Sequence, residues 1–300
     1  MPETAAARAL RPVDEAALAR VLRRQRAAAE PPWLHGEVAQ RMGDRLGVIR
    51  KQPARVLDWW AATGASRELL AGTYPKAELV AVEPEARAAA PAPWWSPRRW
   101  GGAPAPAAVA EHALEPGGAE LVWANMMLHA CADPQAVMAR WHRALAVDGF
   151  LMFSTLGPGT LERLTAIYRE QGWGQPFAPF VDMHDLGDML VEAGFADPVM
   201  DQQTITLTWS DAGAAIAELR TLGGNVGASR HPGLRTPRWR QRLEAALAAD
   251  AAPGGRPALA FEVVFGHAFR PPPRPRVAPQ TAVPLEDLRT MVRAGRRPSS

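Results

Sequence analysis

From Pro53 onward, short apolar runs alternate with amphipathic helical segments, and this rhythm constrains the chain more than any other feature. Apolar runs at 55–59, 78–82, 120–124 and 150–154 have the length and composition of buried strands. Between them, 65–71 and 134–145 have helical periodicity, the latter with Asp133 placed as an N-cap. A weaker strand is expected at 107–110, after an Ala-, Pro- and Trp-rich loop at 88–106. Strand–helix alternation of this kind predicts a parallel sheet with helices on both faces.

Past Thr155 the rhythm changes. Helices are expected at 161–171, from the Phe180–His184 stretch to near Gly194, at 211–222 and at 237–249, and strands at 204–209 and 258–269. Two late strands with no single crossover helix between them predict an antiparallel C-terminal edge. Residues 1–50 read as a helical segment, interrupted at Glu30-Pro31-Pro32, that packs on or covers the domain at 51–270. Residues 271–300, opening on PPPRPR, read as a disordered tail with a transient helix at 285–292.

Composition excludes several classes. The hydrophobic fraction of 47% is ample for a core, and no apolar run approaches the ~20 residues of a membrane span. The N-terminus lacks the apolar stretch of a signal peptide, and the single cysteine, Cys131, allows no internal disulfide; both point to the cytoplasm. The net charge is +3, with lysine confined to Lys51 and Lys76. Arginine use follows an Ala-, Arg- and Pro-rich composition, with one local concentration at Arg220, Arg230, Arg235, Arg238, Arg240 and Arg242, a patch fit for an acidic partner.

The chemistry-bearing positions gather at strand ends. Asp58 follows the first apolar run and precedes a turn at Trp60, Ala62 and Gly64, and Glu83 ends the second run. Two acids at the ends of consecutive parallel strands fit an adenosine whose ribose hydroxyls one of them accepts; a turn cap and an exposed carboxylate are the bland alternative. Asn125 closes the fourth run without the Pro-Pro-Tyr that would make an amide-and-aromatic clamp for a planar nitrogen. His129 either lines a pocket or sits under the next helix, and His184, between Asp182 and Asp185, is either a pocket residue or part of a helix-start cluster. No metal-ligand spacing is present, and Ser154 lacks the Gly-x-Ser-x-Gly turn of a nucleophile.

From about Pro53 to Phe269 the chain resembles the class I S-adenosylmethionine-dependent methyltransferases, and within them the malonyl-acyl-carrier-protein O-methyltransferases of biotin synthesis. The resemblance is carried by QPARVLD at 52–58, LVWAN at 121–125, WHRAL at 141–145, LMFSTLGP at 151–158 and FVDMHDLG at 180–187. It implies a Rossmann-like α/β fold and S-adenosylmethionine as cofactor, held near Asp58, Trp60, Ala62, Gly64, Glu83 and Asn125. It also implies methylation of a malonyl carboxylate, with His129, Arg143 and His184 as candidate substrate contacts and no catalytic residue assigned. A carboxylate is ionised at neutral pH, so alignment and exclusion of water matter more than a general base. An acidic carrier protein could dock on the 220–242 region.

The motif departs from the family at two places: Trp60 and Ala62 stand where glycines are expected, and an indole at a close-approach site clashes unless the loop moves. The tyrosine expected near the active site is also absent around Glu30. Two functions follow from the sequence: the methyltransferase, and a methyltransferase-like protein that has lost its cofactor and binds partners. RNA-directed methylation rests on the arginines alone.

Overall fold

The computed structural model describes residues 11–28, 30–86, 107–249, 251, 255–273, 286 and 289. The expected loop at 88–106 lies outside the described residues, as does the tail at 271–300 with its helix at 285–292, apart from 271–273, 286 and 289.

Seven strands form one sheet in the order β3-β2-β1-β4-β5-β7-β6. They are β1 (Arg55–Trp59), β2 (Glu78–Glu83), β3 (Ala108–Ala110), β4 (Ala119–Ala124), β5 (Leu145–Leu156), β6 (Ala196–Thr208) and β7 (Ala258–Phe269). The first five run parallel, while β7 pairs antiparallel with both β5 and β6. The order reverses between β1 and β4, and in open sheets ligands bind outside the carboxyl ends of the strands at such a point.

Period-two alternation along the central strands feeds two cores. Leu57, Trp59, Val122, Leu151 and Phe153 face one way, against α5 (Pro134–Ala144) and α7 (Met183–Glu192). Val56, Leu121, Trp123, Phe150 and Met152 face the other, joined by Leu34, Val38 and Met42 of α2 (Trp33–Arg45), Leu70 of α4 (Arg67–Thr73) and Leu243 of α9 (Pro237–Ala249). Helices therefore cover both faces. The remaining helices are α1 (Glu15–Ala27), α3 (Ala61–Gly64), α6 (Glu162–Glu170) and α8 (Ala212–Thr221). Aspartates cap four of the nine α-helices among the described residues: Asp14, Asp133, Asp182 and Asp211 each accept a backbone N–H in the first turn.

Three boundaries differ from expectation. Val147-Asp148-Gly149 has the composition of a turn, yet β5 runs through it. Asp148 takes a left-handed backbone (φ 61°), and the β4 register shifts between Ala119 and Leu121, so the turn signal marks a bulge. The edge strand β6 begins eight residues before the expected 204, because Asp201, Gln202 and Gln203 pair through backbone with β7 and need no apolar side chains. The single helix expected at 65–71 is two short ones, broken where Ala65 turns left-handed (φ 56°).

Candidate active site

The loop after β1 is built around an unusual residue. The Trp60 N–H donates to Val82 O at 2.7 Å, prolonging the β1–β2 ladder, and the chain then turns through a left-handed conformation at Trp60 itself (φ 56°, ψ 45°). That conformation costs an L-residue roughly 1–2 kcal/mol and is the one a glycine supplies freely. The indole is buried and anchored: Nε1 of Trp60 donates to Glu111 Oε1 at 2.7 Å, and Nε1 of Trp59 donates to the same oxygen at 3.1 Å. Arg140 of α5 pairs with the other Glu111 oxygen at 3.1 Å. At Trp60 the backbone thus keeps a glycine-like path, and the ring is held by the carboxylate just beyond β3.

Asp58 and Glu83 lie at the same edge of the sheet, both buried. Asp58 Oδ1 has no hydrogen-bond partner, and its carboxyl is pushed up to about 7, first by burial and then by the charge of Glu83, against a smaller pull from Arg67. Glu83 is satisfied from within the chain: Oε1 accepts the Ala62 N–H at 2.8 Å and Oε2 pairs with Arg26 Nη2 at 2.7 Å. Gly64 packs beside Asp58, and a Cβ there would stand 3.4 Å from Ser66 Oγ and 3.8 Å from Asp58 Oδ1.

Asn125 ties this edge together. Its Nδ2 donates to His35 O at 2.8 Å and to Gly64 O at 2.5 Å, and its Oδ1 accepts from Ser154 Oγ at 2.6 Å. The side chain is fully buried with both ends hydrogen-bonded within the chain, a joint between α2, the β1 loop and β5.

Above these strand ends lies a largely apolar cavity of about 480 Å³. Its floor includes Trp60, Thr63, Met126, His35 and His129; Leu18, Val21 and Leu22 of α1 form one wall; Leu164 and Tyr168 of α6, Ile216 of α8 and Leu243 of α9 form others. Phe177 and Phe180 stack within it at 4.9 Å, and Arg220, Arg235 and Arg240 also line it. Burial holds the His35 and His129 imidazoles neutral, His129 pushed down to about 3 by burial and then by His35 and Arg11. His35 Nδ1 lies 2.6 Å from Thr63 O, whereas His129 Nδ1 has no partner.

Two expected substrate contacts are not here. Arg143 is exposed in the last turn of α5, where its carbonyl accepts from Gly117 N just before β4. α5 runs back antiparallel to the strands, so this is their amino-terminal edge, opposite the cavity. His184 is 86% exposed at the start of α7, 3.0 Å from Asp182, and is absent from the cavity wall. Conversely, Arg26, His35, Thr63 and Glu111 belong to the site and escaped sequence reasoning. Nothing in the helical pattern singles out Arg26, and no local spacing links the other three to the strand ends.

Cys131 is buried with its thiol pushed up to about 12, chiefly by burial, which excludes a thiolate nucleophile. No group of three or more potential metal ligands occurs among the described residues.

Fold and site together define a class I S-adenosylmethionine-dependent methyltransferase, and a methyltransferase domain family matches residues 31–198. The residues present fit that cofactor: a buried carboxylate oxygen without a partner at Asp58, a glycine packed against it, and an acid at the end of β2. The chain is 41% identical over 253 residues to the malonyl-[acyl-carrier protein] O-methyltransferase of Laribacter hongkongensis, covering 81% of this chain and 84% of that protein. It is 37% identical to the protein of the same name from Gallionella capsiferriformans, over 80% and 85% of the two chains. It therefore belongs to the malonyl-[acyl-carrier protein] O-methyltransferase family. Among solved structures, YcgJ from Bacillus subtilis shares the fold at a TM-score of 0.50 and 11% identity, covering 78% of this chain and 99% of that one.

Proposed function

We propose that this protein methylates the free carboxylate of a malonyl group carried on an acyl-carrier protein, the reaction named for its relatives. The observation that carries the reading is the apolar cavity seated on the carboxyl ends of β1 and β4, beside the Asp58–Glu83 edge. Asp58, the backbone at Trp60, Ala62 and Gly64, and Glu83 hold the cofactor, Glu83 accepting from its ribose hydroxyls. S-adenosylmethionine, when bound, supplies a methyl group on a positively charged sulfur.

An acceptor carboxylate would take that methyl as the sulfur left neutral, with no proton to move, so the chain's part is to hold the acceptor oxygen in line with the methyl–sulfur bond and keep water out. Two opposite charges are neutralised along the way, so a dry apolar lining favours the transition state over the separated ions. This accounts for a cavity walled by Leu18, Val21, Leu22 and Leu164 rather than by acids and bases. His129 supplies the polar contact: neutral and lining the cavity, it orients the acceptor carboxylate without ion-pairing it into inertness.

A malonyl group is much smaller than the cavity, and the remainder accommodates the thioester and the flexible arm that joins it to the carrier. Arg220, Arg235 and Arg240 then meet the acidic carrier surface. The experiment is incubation of malonyl-loaded carrier protein with S-adenosylmethionine and enzyme, followed by intact mass spectrometry. A gain of one methylene unit on malonyl carrier, and none on unloaded carrier, is the expected result; an unchanged mass refutes the reading.

A further inference from the structure

Helix α1 makes one contact that the chemistry above does not use. Arg26, in its last turn, reaches across to the Glu83 carboxylate, whose other oxygen is already taken by the Ala62 N–H. The Glu83 side chain is only 3% exposed beneath it, against 27% for Arg26. A ribose diol offers two hydroxyl donors to this carboxylate, and neither can approach while the helix end stays down. The same helix is a wall of the acceptor cavity through Leu18, Val21 and Leu22. It is strapped to the far side as well: Arg24 donates to Arg220 O at 2.9 Å and to Gly223 O, and Asp14 pairs with Arg230.

We propose that α1 is a latch over the cofactor crevice, with Arg26 occupying the Glu83 oxygens that the cofactor ribose requires. Cofactor entry and release of the last turn of α1 are then one event. The ion pair competes with the ligand, so the closed form lowers apparent affinity by the fraction of time the latch is open. Because α1 also walls the acceptor cavity, cofactor that lifts the helix loosens that wall, and by linkage an acceptor that displaces α1 strengthens cofactor binding equally. The inference rests on the reading that Glu83 receives the ribose.

The test is calorimetric titration of the full chain with S-adenosylhomocysteine, comparing wild type with Arg26→Gln and Arg26→Lys, alongside hydrogen exchange of residues 15–27 without ligand. Arg26 is a partly exposed residue outside the core, and matching circular dichroism spectra establish that each variant is folded. Arg26→Gln is expected to bind about tenfold tighter, the fold-change equivalent of one part-buried charge-assisted hydrogen bond. Its α1 amides should exchange faster, and Arg26→Lys should stay near wild type in both respects. Equal or weaker binding by Arg26→Gln overturns the latch, as does a lack of binding by both proteins; binding by the variant alone supports it. The catalytic reading is judged separately, by wild-type methylation of malonyl carrier, so either idea can fail without the other.

Discussion

Asp58→Asn separates the cost of the site from its use. The carboxyl sits fully buried, its Oδ1 without a partner, and is pushed from 3.8 to about 7 by burial and by Glu83. That rise, 7 − 3.8, is roughly three units, or ~4 kcal/mol if the whole penalty survives. Relaxation and water entry in a real protein reduce it, and ~1–3 kcal/mol is the expected effect. The direction follows from proton binding. Between about pH 4 and about pH 7 the native state holds a proton that the unfolded chain has already lost, so wild-type stability falls across that window and the penalty is constant above it. Asparagine has no such charge. Urea unfolding followed by fluorescence should give midpoints for wild type and Asp58→Asn that nearly coincide at about pH 4 and separate progressively toward about pH 8, with the variant more stable. A difference independent of pH, or a variant less stable at about pH 8, would refute the argument that Asp58 is held uncompensated for a ligand.

Trp60→Gly exchanges a buried indole for the residue its left-handed backbone favours. Loss of ~3–5 kcal/mol of packing outweighs ~1–2 kcal/mol of relieved strain, so the denaturation midpoint should fall by an amount corresponding to ~2–3 kcal/mol. Asn125→Ala removes three buried hydrogen bonds between the β1 loop, α2 and β5; calorimetric unfolding should show ~2–4 kcal/mol of lost stability. Charge reversal of Arg235 and Arg240 together should raise KM for the carrier-bound acceptor about tenfold at low salt, leave kcat within about twofold, and lose its effect as salt increases.

The parts of this molecule legible in sequence are those governed by local periodicity. Strands β1, β2 and β4 fall within a residue of where their apolar runs place them, and β7 and α9 coincide with theirs. The antiparallel edge follows from the missing crossover. What escaped was set by pairing rather than composition: polar β6 is a strand because β7 lies beside it, and Asp148-Gly149 makes a bulge because β4 demands a register shift. The same division holds at the site. Asp58 and Glu83 could be placed at one edge because parallel strands end together. The WHRAL motif carries no sign of the direction of α5, and the structure places Arg143 in its last turn, at the opposite edge of the sheet from the cavity. Arg26 and Glu111 stand 57 and 51 residues from the groups they hold, Glu83 and Trp60, and only folding reveals them.

The account stands on the β1–β2 edge being a working cofactor site despite the indole at position 60. Calorimetric titration with S-adenosylhomocysteine of wild type and Glu83→Ala tests this most directly. Saturable one-to-one binding by wild type, lost or weakened at least about tenfold in Glu83→Ala, is the predicted result. Binding that Glu83→Ala leaves unchanged would place the cofactor elsewhere. No binding by wild type, with binding appearing only when Trp60 and Ala62 are both replaced by glycine, would contradict the account and leave a methyltransferase fold whose crevice its own indole has closed.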